Sequence, residues 1–269
     1  MKRTLLLWSM FFVAFAAPAA AEPPSAAGFD RWLGQSLRYD IDFLWFDSIA
    51  EGSLSFSAGI QPGTYRAVLE ARTLGVAAWL TSDRVQRYVS VMEKSADGRL
   101  RALSYESQII KGRGEKSKDR SKRYLFDHDQ RQVRYQRGRD GSFGAAEVLP
   151  MAEGAPPNDI LTAFFNFQAG FFGPLVPGGH YRIPTFSRNG TATIEAAVLP
   201  GPLWVRKDFF PANGLLVKVI LDPEVFDTAG GALYIWFDKD RLPARGIVEK
   251  VIGLGDVYGT LAEPAHAKE

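Results

Sequence analysis

The chain has 269 residues, 46% of them hydrophobic, with 32 Lys and Arg against 30 Asp and Glu and no Cys. The missing Cys excludes disulfides, thiolate catalysis and Cys-ligated metals. Lys2 and Arg3 belong to a segment expected to be removed, which leaves 30 charges of each sign, so net charge is no argument for nucleic acid or a membrane surface as partner.

That segment is residues 1–21. Lys2 and Arg3 make a positive start, Leu5 to Ala17 an apolar run, and Ala19-Ala20-Ala21 a small-residue cleavage site. The apolar run is shorter than the roughly 20 residues that span a bilayer, and Pro18 interrupts it. A cleavable signal is therefore expected, cut after Ala21, with a periplasmic mature protein and no transmembrane anchor. The 248 residues that follow can form a single core, since a chain near this size buries roughly 70–75% of its unfolded surface. Residues 22–30 (EPPSAAGFD) read as a flexible linker, 31–262 as one β-rich domain and 263–269 as a polar tail.

From Leu37 the pattern has period two, with Tyr39, Ile41, Phe43 and Trp45 alternating with Arg38, Asp40 and Asp42, which predicts a half-buried strand. Leu54–Ile60 and Tyr65–Ala71 repeat it around Pro62-Gly63. Short connections between such strands imply antiparallel pairing, because parallel pairs need long crossovers. Leu74–Leu80 is ambiguous between a short helix and a bulged strand end. Arg84–Lys94 and Arg99–Lys111 form a predicted hairpin about Asp97-Gly98, and Ser121–Asp127 with Gln132–Arg137 a second, with Tyr124, Phe126, Val133 and Tyr135 inward. Pro156–Phe172 is different. Its apolar residues recur at three and four, predicting a central amphipathic helix over about 158–169, with Asn158 as N-cap and Gly170 as the left-handed stop. Val176–Gly179 is a turn. Further strands are expected at 181–186, 191–198, 215–221, 233–237, 246–252 and 257–261, making two sheet portions flanking the helix.

No residue set announces catalysis. His128, His180 and His266 have no partner at metal-ligand spacing, and no nucleophile elbow or phosphate-cradling loop is present, so neither a metal nor a cofactor is expected. Two features invite a binding role. Phe164, Phe165, Phe167, Phe171 and Phe172 surround the helix, either as ordinary core or as the wall of a cavity between helix and curved sheet, suited to an acyl chain. Phe164 is expected in the core and Phe167 on the cavity wall. The stretch 111–123 carries Lys111, Arg113, Lys116, Lys118, Arg120, Lys122 and Arg123 against two acids, a net of +5. It reads either as a solvated hairpin loop or as a contact for anionic headgroups.

Ala232–Leu261 (ALYIWFDKDRLPARGIVEKVIGLGDVYGTL) resembles the terminal signature of the bacterial exported proteins known as domain of unknown function 3108, at Trp236, Asp238, Asp240, Leu242, Pro243, Gly255 and Leu261. NDILTAFFNFQ, then Gly178, Gly179, Tyr181 and Ile183, resemble the family's middle, and the early meander its beginning. The resemblance spans about Leu37 to Leu261. It implies an exported, β-rich Gram-negative envelope protein without catalytic residues to carry over, and by analogy a half-open barrel like those of periplasmic lipoprotein carriers. Pro243, lacking an amide, is expected at a strand's first residue, Asp238–Leu242 as a turn, and Gly255 where the last strand is crowded.

The expected fold is mainly β: a curved antiparallel sheet or incomplete barrel with one helix packed on it. The expected function is non-catalytic binding of a lipid or lipoprotein acyl chain in the periplasm. The alternative is an envelope interaction protein that docks another protein by a sheet edge or by residues 111–123.

Overall fold

A computed structural model describes residues 28–262 apart from 44–45, 76–77, 79–80, 113, 115–116, 155, 189, 207 and 227. The expected signal segment, most of the linker, the polar tail, Trp45, Arg113 and Lys116 lie outside the described residues.

The first half of the chain is a meander: β1 (Ser36–Phe43), β2 (Phe46–Ala58), β3 (Thr64–Thr73), β4 (Val85–Lys94), β5 (Leu100–Lys111), β6 (Lys118–Asp127) and β7 (Gln132–Arg139). Two short strands, β8 (Ser142–Phe143) and β9 (Glu147–Pro150), both pair with β7. After the helix α1 (Ile160–Gln168) comes a second meander: β10 (His180–Ser187), β11 (Gly190–Leu199), β12 (Leu215–Ile220), β13 (Leu233–Phe237), β14 (Pro243–Val251) and β15 (Gly255–Leu261). The last strand pairs antiparallel with the first, Tyr39 opposite Leu261, so the two meanders fuse into one 15-stranded sheet.

This sheet curls without closing. Strand β10 is its edge at one end of the order, and β6 lies far along towards the other. Yet Phe186 of β10 sets its ring edge-on to Tyr124 and Phe126 of β6, at 6.5 and 6.3 Å between centroids. Side chains, not ladder hydrogen bonds, bring the β10 edge up to β6. The alternation of the strands puts Leu54, Phe56, Ala67, Tyr88, Tyr105, Tyr124 and Val133 on the inner face with Phe165 of the helix, and Ile183, Ile194, Val217 and Val219 on it with Phe167. A third cluster lies outside, where Phe210 covers Leu216, Tyr234, Trp236 and Ile247.

Several local expectations need correction. Residues 111–123 are not one loop: Lys118–Arg123 belong to β6, because the alternating residues of this run pair with β5 and β7. The β4–β5 connection is wider than a two-residue turn, since Lys94 pairs with Leu100 and Ser95 donates its amide to Arg99. Of the ambiguous 74–80 stretch, Gly75 and Ala78 are helical, and the Ala78 amide reaches the Leu74 carbonyl at 3.0 Å. Gly255 closes the β14–β15 turn at φ 75°, a left-handed conformation that glycine adopts without cost. Pro243 does open β14, and the Asp238 carboxylate organises the preceding turn by accepting from the amides of Asp240 and Leu242, both at 2.9 Å.

Candidate functional site

The helix is locked on one side by polar groups. Asp159, not Asn158, is the N-cap: Oδ1 accepts from the amides of Leu161 and Thr162 at 2.8 and 3.0 Å. Its other oxygen accepts from Ser90 Oγ on β4 (2.6 Å) and Thr162 Oγ1 (2.7 Å). Burial raises this carboxyl above its ordinary value, and those four donors pull the other way. Asn158 is displaced from the cap because its backbone bridges to Thr185 of β10 and its Nδ2 donates to the Pro184 carbonyl. Two turns on, Asn166 Oδ1 accepts from the Leu100 amide (2.9 Å) while Nδ2 donates to the Leu100 carbonyl (2.8 Å) and to Asn158 Oδ1. The helix is thereby tied to β4, β5 and β10 at once. Gly170 follows with φ 78°, the left-handed stop expected there.

The opposite side of the helix is not filled. Between α1 and strands β10 to β15 and β1 to β4 lies a hollow of about 390 Å³, lined almost wholly by apolar groups. Its size falls in the ~300–1,000 Å³ range of small-molecule sites. The helix contributes Ile160, Ala163, Phe164 and Phe167; the sheet contributes Ile183, Ile194, Val217, Ile235, Val248, Val257 and Ile41. The reason for the gap is legible in the register. Opposite the helix the inner face carries small residues on either side of Ile41: Gly246 pairs with Gly259 on one side, and Ala50 and Gly52 with Ala71 lie on the other. A Cβ built on Gly259 meets nothing within 4 Å. The sheet therefore stands away from the helix where side chains would otherwise fill the space.

The lining reaches one end of the sheet, where Thr73, Gln86, Val251 and Leu254 lie. There the β12–β13 connection crosses over: Tyr88 of β4 donates to the Val225 carbonyl at 2.6 Å, Phe226 packs edge-on to Tyr88, and the Ala229 amide donates to Lys250 beside β14's end. Leu221 and Phe226 of that connection face the hollow.

The five phenylalanines separate accordingly. Phe164 and Phe167 both line the hollow, Phe164 half-buried between Trp32 and Phe237, Phe167 buried edge-on to Tyr181 at 5.1 Å. Phe165 is fully buried on the other side, 4.4 Å from the Phe56 ring centroid. Phe171 stacks on Phe29, and both Phe171 and Phe172 lie beneath the Arg99 guanidinium, away from the hollow. The basic residues are split by strand alternation. Arg123 faces outward, paired with Glu106 at 2.9 Å and capping the Phe143 ring at 3.6 Å. Lys118, Arg120 and Lys122 take the opposite face, shared with Tyr124, and Lys111 pairs with Lys118. The lining glycines escaped the sequence reading, because period-two counting scores apolar side chains and passes over a face whose side chains are missing.

A second hollow, about 470 Å³, lies on the outer face among Arg66, Arg87, Arg123, Glu106 and Gln108. It is open and charged, and Arg123 within it is already paired with Glu106. Among the described residues no group of three or more His, Asp or Glu is placed to hold a metal ion, and no helix is long and apolar enough to cross a membrane.

The order of strands, the helix and the terminal strand pair lie within a segment, residues 38–261, that matches the model of a family described as protein of unknown function, DUF3108. The chain belongs to the DUF3108 family. The match takes in every strand from β2 to β15 and nearly all of β1, so the hollow lies within the DUF3108 region. No curated protein and no solved structure matches the chain.

Proposed function

We propose that this DUF3108 protein is a non-catalytic binder of an apolar chain, of a lipid or a lipoprotein, in the periplasm after removal of residues 1–21. One observation carries the reading: the inner face keeps glycine and alanine opposite the helix, so an apolar hollow persists where packing would favour larger side chains. An apolar chain gains about 0.8 kcal/mol for each CH₂ removed from water in such a site. The β12–β13 connection lies across the open end as a cover, held by Tyr88 on one side and by Lys250 and Val251 on the other.

The test is direct titration of the mature protein with a fluorescent fatty acid. Saturable binding by wild type, lost in Gly259→Leu with the fold intact, is the expected result. Wild-type protein that binds no fatty acid, and no co-purifying lipid in native mass spectrometry of periplasmic material, would overturn the reading in favour of an envelope docking protein.

A further inference from the structure

The inner face does not end at the hollow. Beyond the aromatic layer of Tyr105, Tyr124 and Tyr135, strands β5 to β7 carry two pairs of like charge directly opposite one another: Lys111 with Lys118, and Arg120 with Arg139. Directly opposed like charges destabilise a sheet, and these two pairs share one face. No acid takes an inner-face position on this part of β5, β6 or β7. Two nearby acids are engaged elsewhere: Glu106 with Arg123 on the outer face, and Asp119 Oδ2 with Gln108 Nε2 and the Gly141 backbone amide.

These cations are continuous with the hollow. Gln86 and Tyr88 line it. Across the sheet Gln86 faces Ile109, which faces Arg120, and Tyr88 faces Ser107, which faces Lys122. Each basic residue is two strands from the lining, about 10 Å at the usual strand spacing. Both features lie at the end of the sheet where β4 begins and β5 ends. Lys111, Lys118, Arg120, Arg137 and Arg139 are exposed there.

We infer that this cationic face seats the phosphate of the lipid whose chain occupies the hollow, so that the ligand is an anionic phospholipid rather than a neutral or zwitterionic one. The inference rests on the proposed function and deepens it. A phosphate supplies negative charge to the Lys111–Lys118 and Arg120–Arg139 pairs, and its oxygens match the donor forks of Arg120 and Arg139.

The experiment compares mature wild type, Gly259→Leu, and the triple variant Lys118→Ser, Arg120→Ser, Arg139→Ser. Each is titrated with short-chain phosphatidylglycerol and phosphatidylcholine of identical chains, below their micelle concentrations. Wild type should prefer phosphatidylglycerol by on the order of tenfold at low salt, and lose that preference as salt screens it. The triple variant should bind both lipids alike, at the wild-type affinity for phosphatidylcholine, and should unfold no earlier than wild type because like-charge pairs have been removed. Gly259→Leu should lose both lipids. Equal binding of the two lipids by wild type, or an anionic preference surviving in the triple variant, overturns the phosphate seat and leaves the apolar site standing. Failure of wild type to bind either lipid overturns both.

Discussion

The two sides of α1 use the same residue type for opposite ends. On the side of β2 to β7, Phe165 is fully enclosed by Trp32, Phe56 and Phe164, and the Asn166 clasp and the Asp159 cap hold the helix in register with β4 and β5. On the side of β13 to β15 and β1, Phe164 and Phe167 face a sheet whose inner positions include the opposed pair Gly246 and Gly259. One side fixes the helix and the other leaves room beside it. A helix so anchored can border an empty space without collapsing into it, because closing the gap would break the buried hydrogen bonds on the anchored side.

The comparison breaks most sharply at Phe165. Phe165→Ala should cost on the order of 3–5 kcal/mol in chemical denaturation, as lost transfer energy plus an unfilled cavity. Asn166→Ala should follow, at about 1–3 kcal/mol, since it strands the amide and carbonyl of Leu100 in the interior. Phe164→Ala should be milder, about 1–2 kcal/mol, because part of its surroundings is already empty, and it should weaken fatty-acid binding more than Phe165→Ala weakens it at matched stability. Equal losses at Phe164 and Phe165 would show that both sides are ordinary core. Gly259→Leu reverses the sign: filling the hollow should leave stability unchanged or raise it by roughly 0.5–2 kcal/mol while abolishing binding. A large destabilisation instead would mean that the hollow is narrower than the inner-face register implies.

The smallest effect is a pH dependence. Burial raises the Asp159 carboxyl in the folded protein, so the folded state holds this proton more tightly than the unfolded chain does. The contribution of Asp159 is therefore greatest below the ordinary carboxylate range near pH 4, and it declines as pH rises through the raised value. Asp159→Asn keeps the acceptor for the Leu161 and Thr162 amides and removes the titration. The wild-type stability minus that of the variant should fall with rising pH over this window. A difference that rises instead would show that the donors from Ser90 and Thr162 outweigh burial.

Much of the fold was legible in the chain. Period-two alternation placed most strands, including Leu233–Phe237 to the residue, and Pro243 marked a strand start because it has no amide to give. The apolar period of three and four, with Gly170, placed α1. These signals are local: each depends on residues within one turn of helix or one strand. The N-cap was misplaced by one residue because both Asn158 and Asp159 fit the local chemistry, and a tertiary bridge to Thr185 decided between them. The basic run showed its composition in sequence but not its partition, since only pairing with β5 and β7 sends Arg123 outward to Glu106 and opposes Arg120 to Arg139. The hollow is the furthest from local reading. It is made by Gly246, Gly259, Gly52 and Ala50, which come from three strands at opposite ends of the chain, and becomes a cavity only because β15 pairs with β1 and brings their bare faces under one helix.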